Sequence, residues 1–567
     1  MELETIRNAQ LQLPGGLLLR SLPGRPLTEQ FPDQEEHTEP HDLSLYKFMT
    51  YARKNFQGEA PCWFKKGSLR EPLLHHEDKM EAEAALTIYV AIQRFMIDLP
   101  EPKVEELEDS PKDDMIFASL PPLSIMAKPT TNLRKVRFIC GYGHNVPNLR
   151  DEIYCQLCKQ LVNNPSMTST RRGWILMGIL CGVFPPSDQF LNYLKNFILT
   201  EATEHVAEFC ISRLRRTVER TNRKQPPSWI EMQASRRAEN IVLPVTLMDG
   251  ATLDCEVDAN STFKELCESI REKLGLKSIY GFSIYIAAVD QIFNWGSDDE
   301  NVMDAVSLAE RYSVRKGNPE SDTKLHFYLR KNIFRPSYNP EDDPLEANLV
   351  FAQLMGGLHK GEYRCQEVND LADIIAKRYY IEHGAELDLN RLQEVILKTA
   401  PQDELKGDPE MMEDLMEEIK SSFDSIPCIR NALSSDQVKA SLVRESMMRW
   451  ALSFSKSYTG VLVSGPKLDP ARINLDINST GAIIQAIPSA QVKAYRASIE
   501  FAQLEEIADY NPYDKKPKIT NPKDTVVLIT MQKKVYHMRS KAAREIRDLM
   551  KLLLNDYKQR GVAENNN

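Results

Sequence analysis

Apolar residues in the first third of the chain recur at the spacing of helices rather than of strands. Ile153, Leu157 and Leu161 fall on one face of a helix, with charged residues between them. The same period runs through the segments 84–95, 152–161, 173–180 and 190–197. We therefore predict that residues 41–232 are all helical. The block closes with the proline pair 226–227, which cannot continue a helix.

The pattern changes to that of strands at residue 241. A strand over 241–249 ends in an Asp-Gly turn, and 252–257 is predicted to be the returning strand. Ser261 or Thr262 is predicted to cap a helix that ends near Gly275. Further strands are predicted at 282–286 and 325–329. A hairpin, one helix and more strands indicate a lobe with the ubiquitin-like fold.

Helical periodicity returns from 336 to 448 and gives way to strands after Trp450. Helices are predicted at 347–355, 368–380, 410–423 and 435–448. Two strands, 525–531 and 534–538, are predicted to form a hairpin across a short polar turn. The last helix carries one apolar stripe, made by Ile546, Leu549, Met550, Leu553, Leu554 and Tyr557. Strands closed by an amphipathic helix are typical of a PH-like (pleckstrin-homology) sandwich, and no element is predicted within 470–525.

Composition limits the classes of protein to which the chain can belong. A chain of 567 residues is too long to fold around one hydrophobic core, and at ~150 residues per domain it should contain three to five domains. The net charge of −10 argues against nucleic-acid binding. No apolar run approaches the ~18 residues of a membrane span, and the acidic start lacks the basic segment of a signal peptide. The ten scattered cysteines then indicate reduced thiols in the cytosol.

Candidate catalytic and metal-binding patterns are weak. Cys155 and Cys158 form a CxxC pair, but no second pair follows at zinc-finger spacing, so packing is the expected role. The tract 75–78, His-His-Glu-Asp, is expected to be a solvated loop. Gly141 and Gly143 lack the third glycine of a phosphate-binding loop, and no Gly-x-Ser-x-Gly elbow occurs. No catalytic residue, cofactor or metal site is predicted.

Specific runs of residues resemble known domains. The run 149–156, Leu-Arg-Asp-Glu-Ile-Tyr-Cys-Gln, continues through 160–165, 171–174 and 184–187. Together these resemble the core of the MyTH4 domain, the myosin tail homology 4 module. Ubiquitin-like, helical and PH-like lobes in that order resemble a FERM domain. Further matching runs are 46–48, 56–58, 72–75, 94–102, 243–246, 281–285 and 361–365. The set is most similar to the first of the two MyTH4–FERM units of class VII myosin tails.

The resemblance implies a multidomain fold. An all-α MyTH4 helical bundle precedes an α+β FERM domain with a ubiquitin-like F1 lobe, a helical F2 lobe similar to acyl-CoA-binding protein, and a PH-like F3 lobe. The expected bounds are 1–40 for a flexible linker, 41–235 for MyTH4, 238–335 for F1, 336–448 for F2, 449–560 for F3 and 561–567 for a disordered tail.

The implied function is that of a non-catalytic tail module that binds cargo for an actin-based motor. Expected partners are scaffold or adaptor proteins with acidic, extended segments. The alternative is a linker that contacts microtubules or anionic phospholipids such as phosphoinositides directly. Actin would be bound only through the parent motor, and no nucleic acid is expected. The expected location is the cytoplasm and the cytoskeleton, with actin-rich protrusions if the family pattern holds.

Three groups of cations are candidates for partner binding. The segment 213–224 holds six basic residues and one glutamate, a net charge of +5. Its cations are Arg213, Arg215, Arg216, Arg220, Arg223 and Lys224. Weaker candidates are Lys159, Arg171, Arg172 and Lys195, and in the last lobe Lys533, Lys534, Arg539, Lys541 and Arg544. The alternative for each is a solvated position, since cations also suit helix C-termini.

Overall fold

Four large hydrophobic cores follow one another along the chain in a computed structural model. The described residues are 42–58, 61–103, 120–220, 223–296, 299–408, 410–488, 493–509 and 522–565. The linker expected over 1–40 lies outside them. We name the four parts the first helical block, the five-stranded lobe, the second helical block and the seven-stranded lobe.

The first helical block is built around a buried central helix. Its helices are α1 (Phe48–Asn55), α2 (Lys79–Met96), α3 (Asn132–Asn145), α4 (Arg150–Leu161), α5 (Met167–Cys181), α6 (Asp188–Glu201), α7 (Glu204–Glu219) and α8 (Trp229–Arg237). The four predicted helices are confirmed and extend beyond the predicted limits. α4 is buried from Glu152 to Leu161, so its polar side chains need internal partners. Gln156 donates from Nε2 to the carbonyl of Ala85 at 2.9 Å.

The five-stranded lobe combines a mixed sheet with two helices. Its elements are β1 (Ile241–Thr246), β2 (Thr252–Val257), α9 (Phe263–Leu274), β3 (Phe282–Ala288), β4 (Gln291–Gly296), α10 (Val302–Arg315) and β5 (Leu325–Lys331). The strand order is β2-β1-β5-β3-β4, and β1 runs parallel to β5. Thr262 caps α9 in a capping box with Glu265, and Gly275 ends it at φ +75°, as predicted. β4 and α10 were not predicted.

The second helical block follows a short connection. Its helices are α11 (Pro344–His359), α12 (Val368–His383), α13 (Leu389–Thr399), α14 (Gln402–Gly407), α15 (Met411–Ser422), α16 (Pro427–Arg430) and α17 (Ser435–Arg449). All four predicted helices are confirmed, whereas α13, α14 and α16 were not predicted. Lys331 joins the block to the five-stranded lobe, since its buried ammonium lies 2.7 Å from Glu346 and 2.6 Å from the carbonyl of Tyr280.

The seven-stranded lobe is an antiparallel sheet with one long helix. Its elements are β6 (Lys456–Ser464), β7 (Ala471–Asn478), β8 (Gly481–Ala486), β9 (Arg496–Glu500), β10 (Leu504–Ala508), β11 (Thr525–Thr530), β12 (Val535–Arg539) and α18 (Ala543–Asn565). The order is β10-β11-β12-β6-β7-β8-β9. The predicted hairpin corresponds to β11 and β12, and β7 to β10 occupy the stretch without prediction. The helix continues to Asn565, where a disordered tail was expected from 561.

Close backbone contacts hold the sheets and helical blocks together. Gly281 has φ +75°, and a Cβ placed on it would lie 1.9 Å from the carbonyl oxygen of Ile333. Ser337 donates from its backbone N and from Oγ to the carboxylate of Asp556 on α18, both at 2.8 Å. The connection after β5 therefore contacts both the five-stranded lobe, through Ile333, and α18, through Ser337.

Candidate functional site

The first cation of the basic segment lies inside the first helical block. The side chain of Arg213 on α7 stacks over the ring of Phe209, with 4.0 Å from Cζ to the ring centroid. Its Nη1 donates to the carbonyl of Gly178 at 3.3 Å and to Oγ of Ser235 at 3.1 Å. Arg213 is only 2% exposed, so the expectation that it faces a partner does not fit its position.

Arg223 is the centre of a buried charge network. Its Nη1 and Nη2 bind the two carboxylate oxygens of Glu231 at 2.5 and 3.1 Å, and its Nε binds Asp304 at 2.9 Å. Burial alone would raise the pKa of Glu231, but the guanidinium of Arg223 reverses this and lowers it. Burial raises the pKa of Asp304, against the opposing effect of the same guanidinium. At 3% exposure Arg223 cannot meet a partner in this structure, which corrects the prediction for this residue.

Backbone groups of the same segment bind the five-stranded lobe. The carboxylate of Asp304 on α10 accepts the backbone N–H groups of Lys224 at 2.7 Å and Gln225 at 3.1 Å. One turn further along α10, Oγ of Ser307 donates to the carbonyl of Pro226 at 2.7 Å. The basic segment is therefore the joint between the first helical block and the five-stranded lobe.

Glu310 extends this joint to the start of α8. Its carboxylate accepts the backbone N–H groups of Trp229 at 2.7 Å and Ile230 at 3.2 Å, two groups that have no partner within the helix. Burial raises the pKa of Glu310 to about 7, although these donors and the guanidinium of Arg137, 4.0 Å away, favour the ionised form.

Two further cations of the segment pair with the five-stranded lobe from the surface. Arg216 binds Asp258 at 3.1 Å and Glu265 at 2.6 Å. Arg220 binds the other carboxylate oxygen of Glu265 at 2.5 Å, with 44% of its side chain exposed. Between them, Oγ1 of Thr217 accepts from Nδ2 of Asn260 at 2.7 Å. Arg216, Arg220 and Arg223, which the sequence analysis assigned to a partner, thus bind carboxylates of the chain itself.

The side chains of Arg215 and Lys224 remain exposed, and that of Arg220 is partly so. Lys264 on α9 is also exposed, beside the Glu265 that binds Arg220. The sequence analysis did not select Lys264, because this residue lies in the predicted ubiquitin-like lobe and not in the basic segment 213–224. These four side chains make up what we call the junction cations.

Comparison with known proteins identifies the family. A MyTH4 domain model matches residues 136–234, and an RA like domain model matches residues 239–333. Myosin-VIIa of Drosophila melanogaster is 31% identical over 92% of this chain and 26% of its own length. Unconventional myosin heavy chain 6 of Caenorhabditis elegans is 32% identical over 92% of this chain and 27% of its own. The chain spans about a quarter of the length of these relatives.

Solved structures agree on the fold. The MyTH4–FERM MF1 domain of Dictyostelium discoideum myosin VII aligns over 93% of this chain and 99% of its own, with a TM-score of 0.63 and 19% identity. The C-terminal MyTH4–FERM domain of human myosin 7b, solved in complex with the harmonin-a PDZ3 domain, gives 0.59 and 20% over the same shares. The chain is a MyTH4–FERM unit of the class VII myosin type. Such units are binding modules, and the motor ATPase of a myosin lies in a separate head.

The weaker candidates in the MyTH4 part differ in accessibility. Lys159 is 1% exposed, and its ammonium donates to the carbonyl of Trp63 at 3.1 Å and to Oη of Tyr89 at 3.3 Å. Arg172 donates to the carbonyl of Phe95 and to Oδ1 of Asn132. Both side chains therefore bind groups within the MyTH4 part, which indicates a structural role. Arg171 is exposed, and Lys195 is half-buried on α6.

The tract at 75–78 of the MyTH4–FERM unit is not a solvated loop throughout, as we had predicted. The side chain of His76 is 3% exposed and lies between two carboxylates, 3.5 Å from Glu81 and 3.8 Å from Glu152. Glu152 also accepts the backbone N–H groups of Leu73 at 2.9 Å and Leu74 at 2.7 Å. The carboxylate of Glu152 raises the pKa of His76, against the effect of burial.

The CxxC cysteines, Cys155 and Cys158, are buried free thiols in the MyTH4 core. Within the described ranges no group of three or more His, Cys, Asp or Glu side chains could hold a metal ion. Nor does any helix in that part of the chain combine the length and apolar character of a membrane span.

The candidate cations of the seven-stranded lobe do not form one surface. Lys533 and Lys534 lie in the turn before β12, and Lys533 binds Glu505 at 2.6 Å. Arg539 ends β12, Lys541 lies between β12 and α18, and Arg544 lies in the first turn of α18. All five are exposed, but the length of β12 separates the first two from the other three.

The same lobe carries an edge strand beside its long helix. β10 pairs with β11 alone among the described strands, so no described strand covers its other edge. α18 packs on β10 and β11, and Leu504, Leu528 and Leu553 meet in the core beneath it. Glu505 and Glu506 are exposed on β10. β10 and α18 therefore lie side by side, with Glu506 exposed on β10 and Glu505 paired with Lys533.

Proposed function

We propose that this chain is a scaffold-binding module of a class VII myosin tail. Its relationship to the myosin VII tails supports this proposal, as does the myosin 7b unit that was solved with harmonin-a PDZ3. The actin-activated ATPase would belong to a motor head elsewhere in the parent protein. The scaffold would hold the motor at its cargo in actin-rich protrusions.

The four parts of the fold would correspond to MyTH4, F1, F2 and F3. The parallel pairing of β1 with β5, with α9 between β2 and β3, supports the ubiquitin-like assignment of the five-stranded lobe. Seven strands followed by α18 support the PH-like assignment of the last lobe, and the helices of the second block support the assignment similar to acyl-CoA-binding protein. Four separate cores favour the expected bounds of 41–235, 238–335, 336–448 and 449–560.

The junction cations are the best candidates for an acidic segment of the scaffold. The buried pairing of Arg223 with Glu231 and Asp304 carries this proposal, because it fixes the surface on which the exposed cations stand. A surface that is rigid before binding loses less conformational entropy when a partner arrives. Arg215 and Lys224 provide charge with no ion-pair partner among the described residues.

The groove beside β10 suits a different part of the scaffold. An extended segment can add to an edge strand through backbone hydrogen bonds, with its side chains against the neighbouring helix. Glu506, exposed on β10, repels acidic residues, so this segment should be neutral or basic. Two sites that bind two segments of one scaffold raise the overall affinity through effective concentration.

A peptide-binding measurement tests the acidic-segment site. The probe is a fluorescent, extended peptide rich in Glu and Asp, titrated with the full chain and followed by anisotropy. The Arg215→Glu, Lys224→Glu double variant should bind it at least about tenfold more weakly, because reversed charges repel the peptide. A Lys406→Glu, Lys420→Glu variant on exposed positions of the second helical block makes the same charge change elsewhere. Equal binding by the two double variants would refute the site.

A further inference from the structure

Four strands lie at the edges of the two described sheets, and one of them differs from the others in composition. β2, β9 and β10 each carry two charged residues, namely Asp254 and Glu256, Arg496 and Glu500, and Glu505 and Glu506. β4 has the sequence Gln-Ile-Phe-Asn-Trp-Gly, with no charged residue and no proline. Since charges and prolines on an edge strand hinder its pairing with another chain, β4 is the edge best suited to add a strand.

The regular part of this edge is short. β4 pairs with β3 alone among the described strands, and the ladder runs without interruption from Gln291 to Asn294. The register then shifts at Trp295, which ends the regular pairing. α10 packs on β3 and β5, over one face of the sheet. A further strand therefore has the residues 291–294 to pair with along the outer edge of β4.

Apolar side chains accompany this edge, and its start is held in place. Ile292 is 36% exposed, and Val289, at the tip of the hairpin between β3 and β4, is 57% exposed. The neighbouring Asp290 accepts a hydrogen bond from Oη of Tyr312 and lies 2.9 Å from Nζ of Lys316. An edge that is fixed before pairing loses less conformational entropy when another strand arrives.

The helix α10 runs back along β4 from beyond the end of the strand to its start. The ring of Tyr312 contacts that of Phe293 edge-on, with 5.6 Å between the centroids, and Lys316 reaches Asp290 just before the strand. The two ends of α10 therefore lie near the two ends of β4.

These two ends carry opposite charges. Asp299 and Glu300 are exposed before α10, and the carbonyl of Glu300 accepts the backbone N–H of Phe263 at 3.0 Å, next to the cation Lys264. Two acidic side chains against one basic side chain leave this end negative. At the other end, Arg315 and Lys316 outnumber Asp290, which leaves the start of β4 positive.

A second copy of the chain offers the complementary order of charges. When two edge strands pair antiparallel about a two-fold axis, the start of each strand lies beside the end of the other. The basic end of one copy then faces the acidic end of the second, and this happens twice in one interface. Parallel pairing of the two strands would instead bring like charges together.

We propose that β4 pairs antiparallel with β4 of a second copy of this chain and joins the two five-stranded sheets into one. Pairing over 291–294 gives a contact about 13 Å long, which buries less than the ~1,200–2,000 Å² of a stable interface. The dimer is therefore weak and forms where copies are concentrated, such as on one cargo. It would bring two parent motors together, and it does not depend on the scaffold proposal.

Sedimentation equilibrium of the full chain tests the pairing. The mean mass should rise with protein concentration toward that of a dimer, and less steeply at about 0.5 M salt, where charges are screened. Ile292→Lys places a charge in the middle of the edge and should abolish the rise. Val461→Lys, at an exposed aliphatic position on an interior strand of the other sheet, should associate as the wild type does. A monomeric mass at every concentration would refute the proposal, and so would a dimer that Ile292→Lys leaves intact.

A charge exchange tests the antiparallel arrangement. Lys316→Glu and Glu300→Lys, taken separately, should each weaken the dimer at least about tenfold, because both ends of the interface then face like charges. Mixed in equal amounts, the two variants should recover most of the association, since both ends of a mixed pair again face opposite charges. Lys406→Glu, an exposed charge reversal on α14, should have no effect.

The mixture also excludes a role of these charges within one chain only. Charges of these signs suit the dipole of α10, but mixing two chains cannot restore a dipole interaction inside either of them. A mixture that associates no more than the separate variants would therefore overturn the antiparallel pairing.

Peptide binding keeps this proposal apart from the scaffold site. Ile292→Lys should bind the acidic peptide used for the junction cations as well as the wild type does. The Arg215→Glu, Lys224→Glu double variant should dimerise like the wild type. Loss of peptide binding by Ile292→Lys, without a dimer of the wild type, would show that the edge serves the scaffold and would refute pairing with a second copy.

Discussion

The guanidinium of Arg223 and the carboxylate of Glu231 form a two-point ion pair within the MyTH4 part, at 2.5 and 3.1 Å, with both side chains at most 3% exposed. The capping box of Ser228 and Glu231 holds the carboxylate, because Ser228 N donates to it at 2.7 Å. Asp304 of the next lobe binds the third donor of the guanidinium. One buried cation thus joins two domains.

Replacing Arg223 by Met should destabilise this joint by roughly 3–5 kcal/mol, because two buried carboxylates lose their cation. Denaturant unfolding of the full chain gives the size of the effect, and limited proteolysis between 223 and 240 shows where the chain opens. Arg215→Met, at an exposed position of the same segment, should stay within about 0.5 kcal/mol of the wild type. Similar losses for both variants would mean that general charge, rather than the buried pair, stabilises the joint.

The stability contributed by His76 should depend on pH. Its pKa is raised in the folded chain by Glu152 and then Glu81, so its stabilising effect is complete below the usual value of 6.5. The effect is lost as the pH rises through the folded-state pKa. His76→Gln should therefore cost more stability at pH 5.5 than at pH 8.5, as measured by thermal unfolding at both values. His75→Gln, next to it but exposed, should show no such difference.

Lys159 should show the opposite dependence. Burial lowers its pKa from 10.5 to about 8, so the unfolded chain binds the proton more tightly between these values. Wild-type stability, relative to Lys159→Met, should then rise from pH 8 to pH 10.5 by up to about 3 kcal/mol. Chemical unfolding across that range measures the difference. A constant difference would indicate that the ammonium is paired or hydrated in solution, and Lys406→Met serves as the exposed control.

Gly281 should not tolerate a side chain. Its φ of +75° is strained for alanine, and the added Cβ would lie 1.9 Å from the carbonyl oxygen of Ile333. Gly281→Ala should cost on the order of 3 kcal/mol. Gly275→Ala is a matched control, because Gly275 has the same φ of +75° with no heavy atom within 4 Å of the new Cβ. Its cost should be about 1–2 kcal/mol, from the backbone alone. Both variants carry the backbone strain, but only Gly281→Ala has the steric clash. The difference between their melting temperatures therefore measures the cost of the clash.

Local patterns predicted most helices and the two hairpins. The helix after Thr262 is the clearest case, since its cap, apolar face and terminal Gly275 all lie within one short stretch. The strands between 471 and 508 were not predicted because Pro488 and polar turns interrupt short apolar runs. Their pairing with each other, rather than the alternation of any single strand, fixes them in the sheet.

The basic segment shows what a sequence pattern cannot determine. Six cations close together predicted a surface, yet Arg213 and Arg223 are buried. The carboxylates that bind Arg223 come from Glu231 within the segment's own domain and from Asp304, some 80 residues away. The capping pattern of Ser228 and Glu231 was visible in the sequence, but nothing local pointed to α10.

The hydrogen bonds from Lys224 and Gln225 to Asp304 affect how these domains can be recombined. The two family models divide the chain between 234 and 239, whereas the buried contacts cross that division. A chimera that exchanged either domain at this division would leave charged groups of the other without partners. Evolution and protein engineering would therefore have to exchange the pair as one piece.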